Sequence, residues 1–238
     1  STKGYDYVSG KETSVNIDEN DLIISAYQPK SVLAQVLLEP ESRLTDSVTY
    51  DITAWSLPYA HGLEAYALKE RLEPQKPYAP RQVTNSKPTA SAYAWCFHRH
   101  SLNDMQLVAA LLQKGVKVRT ATKGFEIGAQ AYEPGTLVVN RNDNRQMAEK
   151  LDQILYEQAT AFQVPLFPVS TGMAEKGNDL GSDAFAAISR PDVAMVYGED
   201  LDANSYGQTW YYFERELGYP VTPVSLDKLH RVHLSDFT

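Results

Sequence analysis

Cysteine and basic residues are scarce in this sequence, and long apolar runs are missing from it. The single cysteine among 238 residues, Cys96, excludes an internal disulfide framework. Lysine and arginine number 22 against 30 aspartates and glutamates, so the net charge is -8. Nucleic acids and anionic membrane surfaces select basic patches, and neither is expected as a partner. No run approaches the roughly 20 apolar residues of a membrane-spanning helix, so no membrane span is expected.

Apolar runs without alternation occur at Asp21–Ala26, Thr136–Asn140 and Val193–Tyr197. Such runs are typical of strands that are covered on both faces, as in a parallel sheet between helices. Helical periodicity lies between them, after Ser101 and again over Asp143–Ala161. We therefore expect an α/β fold with a mainly parallel sheet flanked by helices, of the Rossmann-like kind.

Local signals place the ends of the first of these helices. Ser101 followed three residues later by Asp104 predicts an N-cap with a capping-box partner, and Gly115 predicts the end of the helix.

The four prolines of Leu72–Pro88 indicate a linker. These signals suggest segments 1–80, 89–190 and 191–238, which fold either separately or as one compact domain. The chain ends where a further strand is expected, so we interpret it as a piece of a longer polypeptide.

His61 and Glu64 have the spacing of the first two zinc ligands in one large family of metallopeptidases. A catalytic zinc needs three protein ligands and an open position for water. No histidine lies between His100 and His230, where the third ligand would be sought. We interpret LPYAHGLEAYAL as a helical turn after Pro58, with His61 partly exposed, Glu64 on the helix surface and no metal bound there.

Cys96, His98 and His100 occupy alternate positions in SAYAWCFHRHS. On a strand the three side chains would share one face, and thiolate with imidazole is a ligand set that suits zinc. The same residues offer a second interpretation, an independent hydrolase in which Cys96 works with either histidine. Cys96 nevertheless lacks the glycine-flanked elbow of nucleophilic thiols, and a buried core thiol is the simpler interpretation.

The loop from Gly198 to Gly207 contains the candidate ligand-binding residues. In open α/β sheets ligands bind beyond the carboxyl ends of strands, and this loop follows such an end. Its candidate side chains, which could hydrogen-bond a glycan or a peptide, are Glu199, Asp200, Asp202, Ser205 and Tyr206. The alternative is a solvated acidic loop in which Asn204 or Ser205 caps the next helix.

Long phrases of the sequence resemble large bacterial zinc carboxypeptidase-like proteins of the carboxypeptidase A superfamily. The resemblance covers most of the chain, and its phrases are DLIISAYQPKSVLAQVLLEPESRLTDSVTYDITAWSLPYAHGLEAYAL, GVKVRTATKGFEIGAQAYEPGTLVVNRNDN, the TG…GNDLGS loop and VAMVYGEDLDANSYGQTWYYFERELGYPVT. In those proteins the peptidase domain precedes this region, and a class I glutamine amidotransferase-like domain follows. The segment from Val193 onward resembles the opening of that second domain. His61 and Glu64 do not match the position of the family's zinc motif.

The resemblance implies that this chain is a noncatalytic accessory region of a zinc metallocarboxypeptidase. It would support its own peptidase domain, as a packing partner or in substrate binding. It implies no cofactor in this chain, zinc in the peptidase domain of the parent, and a periplasmic or secreted location. A carbohydrate- or peptide-binding module built on the acidic loop is the first alternative, and the independent Cys/His-dependent hydrolase is the second.

Overall fold

The computed structural model describes residues 2–19, 21–41, 56–73, 76–79, 82–86, 92–148 and 150–238. Residue contacts divide the chain into a first unit, Ser1–Pro80, and a second unit, Arg81–Thr238. The boundary lies inside the proline-rich stretch Leu72–Pro88, part of which falls outside the described residues. In the part of the chain that is described, no helix combines the length and the apolar character needed to cross a bilayer.

The first unit is a small antiparallel sheet accompanied by two short helices. Strand β1 pairs with β2 on one side and with β3 on the other. Asp6 closes the β1–β2 turn, because its carboxylate accepts the backbone N–H groups of Val8 and Ser9. The elements are β1 (Thr2–Asp6), β2 (Lys11–Val15), α1 (Ser31–Leu38), α2 (Leu57–Ala60) and β3 (Tyr66–Leu68).

The core of the first unit is thin. Among its described residues only Gly4, Tyr7, Val15 and Pro58 are buried. The phenol of Tyr7 donates a hydrogen bond to the Leu38 carbonyl and so ties β1 to the end of α1. Burial of apolar area is the main source of folding free energy, so this unit gains little of it from its own described residues.

The second unit is built on a five-stranded sheet. Its strand order is β10-β5-β8-β4-β9, and every neighbouring pair is antiparallel. Two further strands form a separate hairpin, β6–β7. The elements up to this sheet's last strand are β4 (Ala94–Phe97), α3 (Leu102–Gln113), β5 (Val118–Ala121), β6 (Phe125–Ile127), β7 (Gln130–Tyr132), β8 (Leu137–Asn140), α4 (Lys150–Ala161), β9 (Phe167–Val169) and β10 (Phe185–Ile188).

The predicted mainly parallel, Rossmann-like sheet is wrong, because the main sheet is antiparallel throughout. The apolar run 137–140 is indeed a fully buried strand, β8, between β5 and β4. An unbroken apolar run indicates that both faces are covered and carries no information on strand direction. The predicted strand at Asp21–Ala26 is also wrong: these residues belong to no strand, and Leu22 and Ile24 are exposed.

Both faces of the main sheet are covered, and the core of the second unit consists of one cluster on each face. On one face Trp95 and Phe97 of β4 pack into a cluster with residues of α3 and α4, such as Leu107 and Leu155. On the other face Cys96 packs into a second cluster with residues of the β6–β7 hairpin and of the loop before β10. The sheet is therefore the middle of three layers.

The predicted cap of α3 is confirmed, whereas the predicted start of the second helix is wrong. The Ser101 hydroxyl accepts the Asp104 N–H and the Asp104 carboxylate accepts the Ser101 N–H, which together form a capping box. The helix predicted over Asp143–Ala161 instead begins with a 3-10 turn, Asn142–Met147, and continues as α4 only from Lys150. The left-handed backbone of Ala148, with φ of 46°, interrupts it.

The end of the second unit contains its parallel strand pair. Strand β11 (Val193–Tyr197) leads into α5 (Ala203–Tyr211), whose last turn widens into a π-type turn over Tyr212–Glu216. Strand β12 (Val221–Ser225) then pairs parallel to β11, as a helical crossover permits. Two glutamines of α3 hold this part in place: Gln106 donates to the Glu216 carbonyl at 2.6 Å and Gln113 to the Gly218 carbonyl at 2.9 Å.

Candidate functional site

Cys96 lies in the middle of the second unit and is fully buried. Strand β4 is paired on both sides, and the Cys96 side chain lies in the same buried cluster as Tyr132 of the β6–β7 hairpin. Burial raises the pKa of the Cys96 thiol to about 12. Burial likewise raises the pKa of Tyr132 to about 12. A thiol of this kind is protonated at neutral pH and is a poor nucleophile.

We expect Cys96 to resist alkylation in the folded chain. Iodoacetamide at pH 8 should label it at a rate at least about 100-fold below that of the same chain in denaturant, because the thiolate is disfavoured and the sulfur is enclosed. Mass spectrometry of the intact chain over time measures this difference. Rapid labelling of the folded chain would contradict the buried position and would favour the Cys/His hydrolase.

His98 and His100 lie next to each other at the end of β4, in a more exposed environment than that of Cys96. Their rings stack with centroids 5.0 Å apart, and the His98 ring makes a T-shaped contact with the Phe167 ring. A Glu133 carboxylate oxygen lies 3.6 Å from Nε2 of His100. The three side chains do not form a common ligand set, since the thiol faces the core while the imidazoles reach solvent. No group of three or more metal-ligating side chains is positioned for an ion within the described ranges.

The acidic loop uses part of its polar groups to begin a helix. Asp202 is the N-cap of α5, and its carboxylate accepts the Ser205 N–H at 2.6 Å, which lowers the pKa of that carboxyl. The alternative interpretation from the sequence placed the cap at Asn204 or Ser205, two or three residues too late. Tyr206 packs edge-on against Tyr197, with ring centroids 6.0 Å apart.

Glu199 and Asp200 remain exposed in the turn that precedes α5. The structure thus brings Asp202 and Ser205 together, as a helix cap, and places Tyr206 in an aromatic pair. A ligand-binding role for the five candidate residues stays a prediction.

His61 and Glu64 both follow the short helix α2, so the predicted helical position of Glu64 is wrong. His61 is the C-cap residue of α2, and Gly62 follows with φ of 59°. The Glu64 carboxylate accepts a hydrogen bond from the Tyr66 phenol at 3.1 Å. Both side chains are exposed, so this pair lacks the enclosed geometry of a metal site.

Sequence reasoning missed Tyr132 and Glu133, the partners of Cys96 and His100. The β6–β7 hairpin positions both residues: Tyr132 is the last residue of β7, and Glu133 comes directly after it. The two-residue turn of the hairpin has left-handed backbone at Gly128 and Ala129. The signal was present in FEIGAQAY, where two short alternating runs flank Gly-Ala. Which strand the hairpin would cover could not be read from that pattern.

Comparison with known proteins gives no match: no family model, no curated protein and no solved structure matches this chain. A functional proposal for the chain therefore rests on the chemistry of its own described side chains.

Proposed function

We propose that this chain is a noncatalytic accessory region of an exported bacterial zinc carboxypeptidase-like protein, and that its first unit docks against the peptidase domain of that protein. The observation that carries the proposal is the excess of exposed over buried apolar side chains in the first unit. Few of its described residues are buried, while many large apolar side chains are exposed. An excess of exposed apolar side chains over buried ones is typical of an interaction surface.

The exposed side chains concentrate before and within α1, and we call them the apolar strip. They are Leu22, Ile24, Tyr27, Val32, Leu33 and Val36. Helix α1 has no buried residue, although its sequence, SVLAQVLL, is almost wholly apolar. Two contacts connect this segment to the rest of the unit: the Arg71 guanidinium lies 4.6 Å from the centre of the Tyr27 ring, and the Tyr7 phenol donates to the Leu38 carbonyl.

The sequence of the strip supports the peptidase domain as its occupant. The strip lies within DLIISAYQPKSVLAQVLLEP, the opening of the longest phrase that resembles the carboxypeptidase-like proteins. A packing role also accords with the enclosed Cys96 thiol, which is unsuited to nucleophilic chemistry. In this proposal the parent's peptidase domain holds the zinc and performs the hydrolysis.

Charge placed in the strip should weaken docking. The test begins by reading the gene upstream of this chain and producing the encoded peptidase domain separately. We expect Val32→Asp to weaken binding of the chain to that domain by at least about tenfold, since a carboxylate buried in an apolar interface loses its hydration. Calorimetry measures the affinity. The chain alone should release no C-terminal residues from peptides, with or without added zinc.

Val8→Asp is the matched control, because Val8 is a valine of the same unit with nearly the same exposure. Val8 is 75% exposed in the β1–β2 turn and Val32 is 73% exposed on α1. The control should bind like the unmodified chain. An upstream gene without a carboxypeptidase domain, or equal affinities for the two variants, overturns the proposal.

A further inference from the structure

We propose that His98 and His100 form a surface chelate for a divalent transition-metal ion, with Glu133 as an outer carboxylate partner. The ion would be Zn²⁺, Ni²⁺ or Cu²⁺, which imidazole nitrogen suits. This inference concerns the second unit and does not depend on the proposed docking function.

The backbone that carries the two histidines is fixed on both sides. His98 directly follows β4, which is hydrogen-bonded to β8 and to β9. The His100 N–H donates to the Asp104 carboxylate at 2.9 Å, so the capping box of α3 holds this residue as well. Two ligands on a rigid backbone lose little conformational freedom when they bind an ion.

The two imidazoles already share one side of the chain. Their rings are nearly parallel, with an interplanar angle of 17° and centroids 5.0 Å apart. An ion bound by both rings lies about 2.0–2.1 Å from each nitrogen, so the two donor atoms must approach within roughly 4 Å. Because the His100 side chain is 65% exposed, it can rotate to reach that separation.

Glu133 places a carboxylate beside the two imidazoles. One of its oxygens lies 3.6 Å from Nε2 of His100, which is longer than a hydrogen bond. Its negative charge favours a cation bound at this end of β4. Cys96 takes no part, since its thiol is enclosed against Tyr132. The chelate thus has two protein ligands, with water in the remaining positions.

Titration of the untagged chain with Zn²⁺, Ni²⁺ or Cu²⁺ salts tests this proposal by calorimetry. We expect one ion per chain. His98→Ala and His100→Ala should each weaken binding by at least about tenfold, and Glu133→Gln by a smaller factor, in keeping with its outer position. His230→Ala is the matched control, because His230 is another exposed imidazole, and it should leave the affinity unchanged.

Circular dichroism of each variant shows whether the fold is retained, and histidine ring signals in NMR spectra report the ligands directly. Perturbation of the His98 and His100 signals by the added ion supports the chelate even if a variant folds poorly. Absence of binding at about 1 mM of all three ions overturns the proposal. Binding that survives both alanine substitutions, or that His230→Ala abolishes, overturns it equally.

Discussion

Replacing Trp95 with alanine is expected to lower the free energy of unfolding of the second unit by about 3–5 kcal/mol. Trp95 lies on the inner strand β4, and only 1% of its surface is exposed. Its ring packs in the cluster beneath α3 and α4, and the Arg141 guanidinium lies 4.7 Å from its centre. The substitution therefore leaves a large cavity and removes a cation–π contact. Chemical denaturation followed by circular dichroism measures the loss.

Trp210→Ala provides the comparison with the same side chain at the surface. Trp210 is 39% exposed on α5, a helix without a buried residue. We expect this variant to lose no more than about 1 kcal/mol. Similar losses for the two tryptophan variants would contradict the assigned core.

Replacing Asn144 with alanine is expected to cost about 3 kcal/mol, although asparagine contributes little apolar burial. Its buried amide satisfies three backbone groups at once. The Oδ1 atom accepts the Lys117 N–H at 2.7 Å, and Nδ2 donates to the Lys117 carbonyl at 3.0 Å and the Asn140 carbonyl at 2.9 Å. Each buried backbone group left without a partner costs about 1–3 kcal/mol. Thermal and denaturant unfolding measure the change.

Two further variants separate these hydrogen bonds from the general effect of substitution. Asn144→Asp keeps the acceptor but loses both donors and places a carboxylate beside two carbonyls, so it should be as damaging as alanine. Asn142→Ala should cost at most about 0.5 kcal/mol, since Asn142 is exposed and its Oδ1 accepts hydrogen bonds from the exposed Arg145 guanidinium. An Asn144→Ala chain as stable as the Asn142→Ala chain would contradict the role of this side chain.

The hydrogen bonds of Asn144 also explain why the start of the second helix was predicted wrongly from the sequence. Its side chain binds the backbone before β5, and neighbouring Asp143 forms an ion pair with Arg119 at 2.6 Å. These contacts hold residues 142–147 in a 3-10 turn, and the chain enters α4 only after the left-handed Ala148. Helical periodicity reports which residues are apolar, but it does not report such bonds to distant backbone.

Local chemistry along the sequence determined the cap of α3, the buried run of β8 and the enclosed nature of Cys96. Each depends on a few neighbouring residues, or on how apolar they are, and both properties can be read directly from the sequence. The antiparallel direction of the main sheet, the contact of Cys96 with Tyr132 and the pairing of His100 with Glu133 were decided by the tertiary structure. Each of these features joins segments that are distant in the chain. The hydrophobic pattern of a strand does not depend on which strand pairs with it or on the direction of that strand, so the sequence alone could not show them.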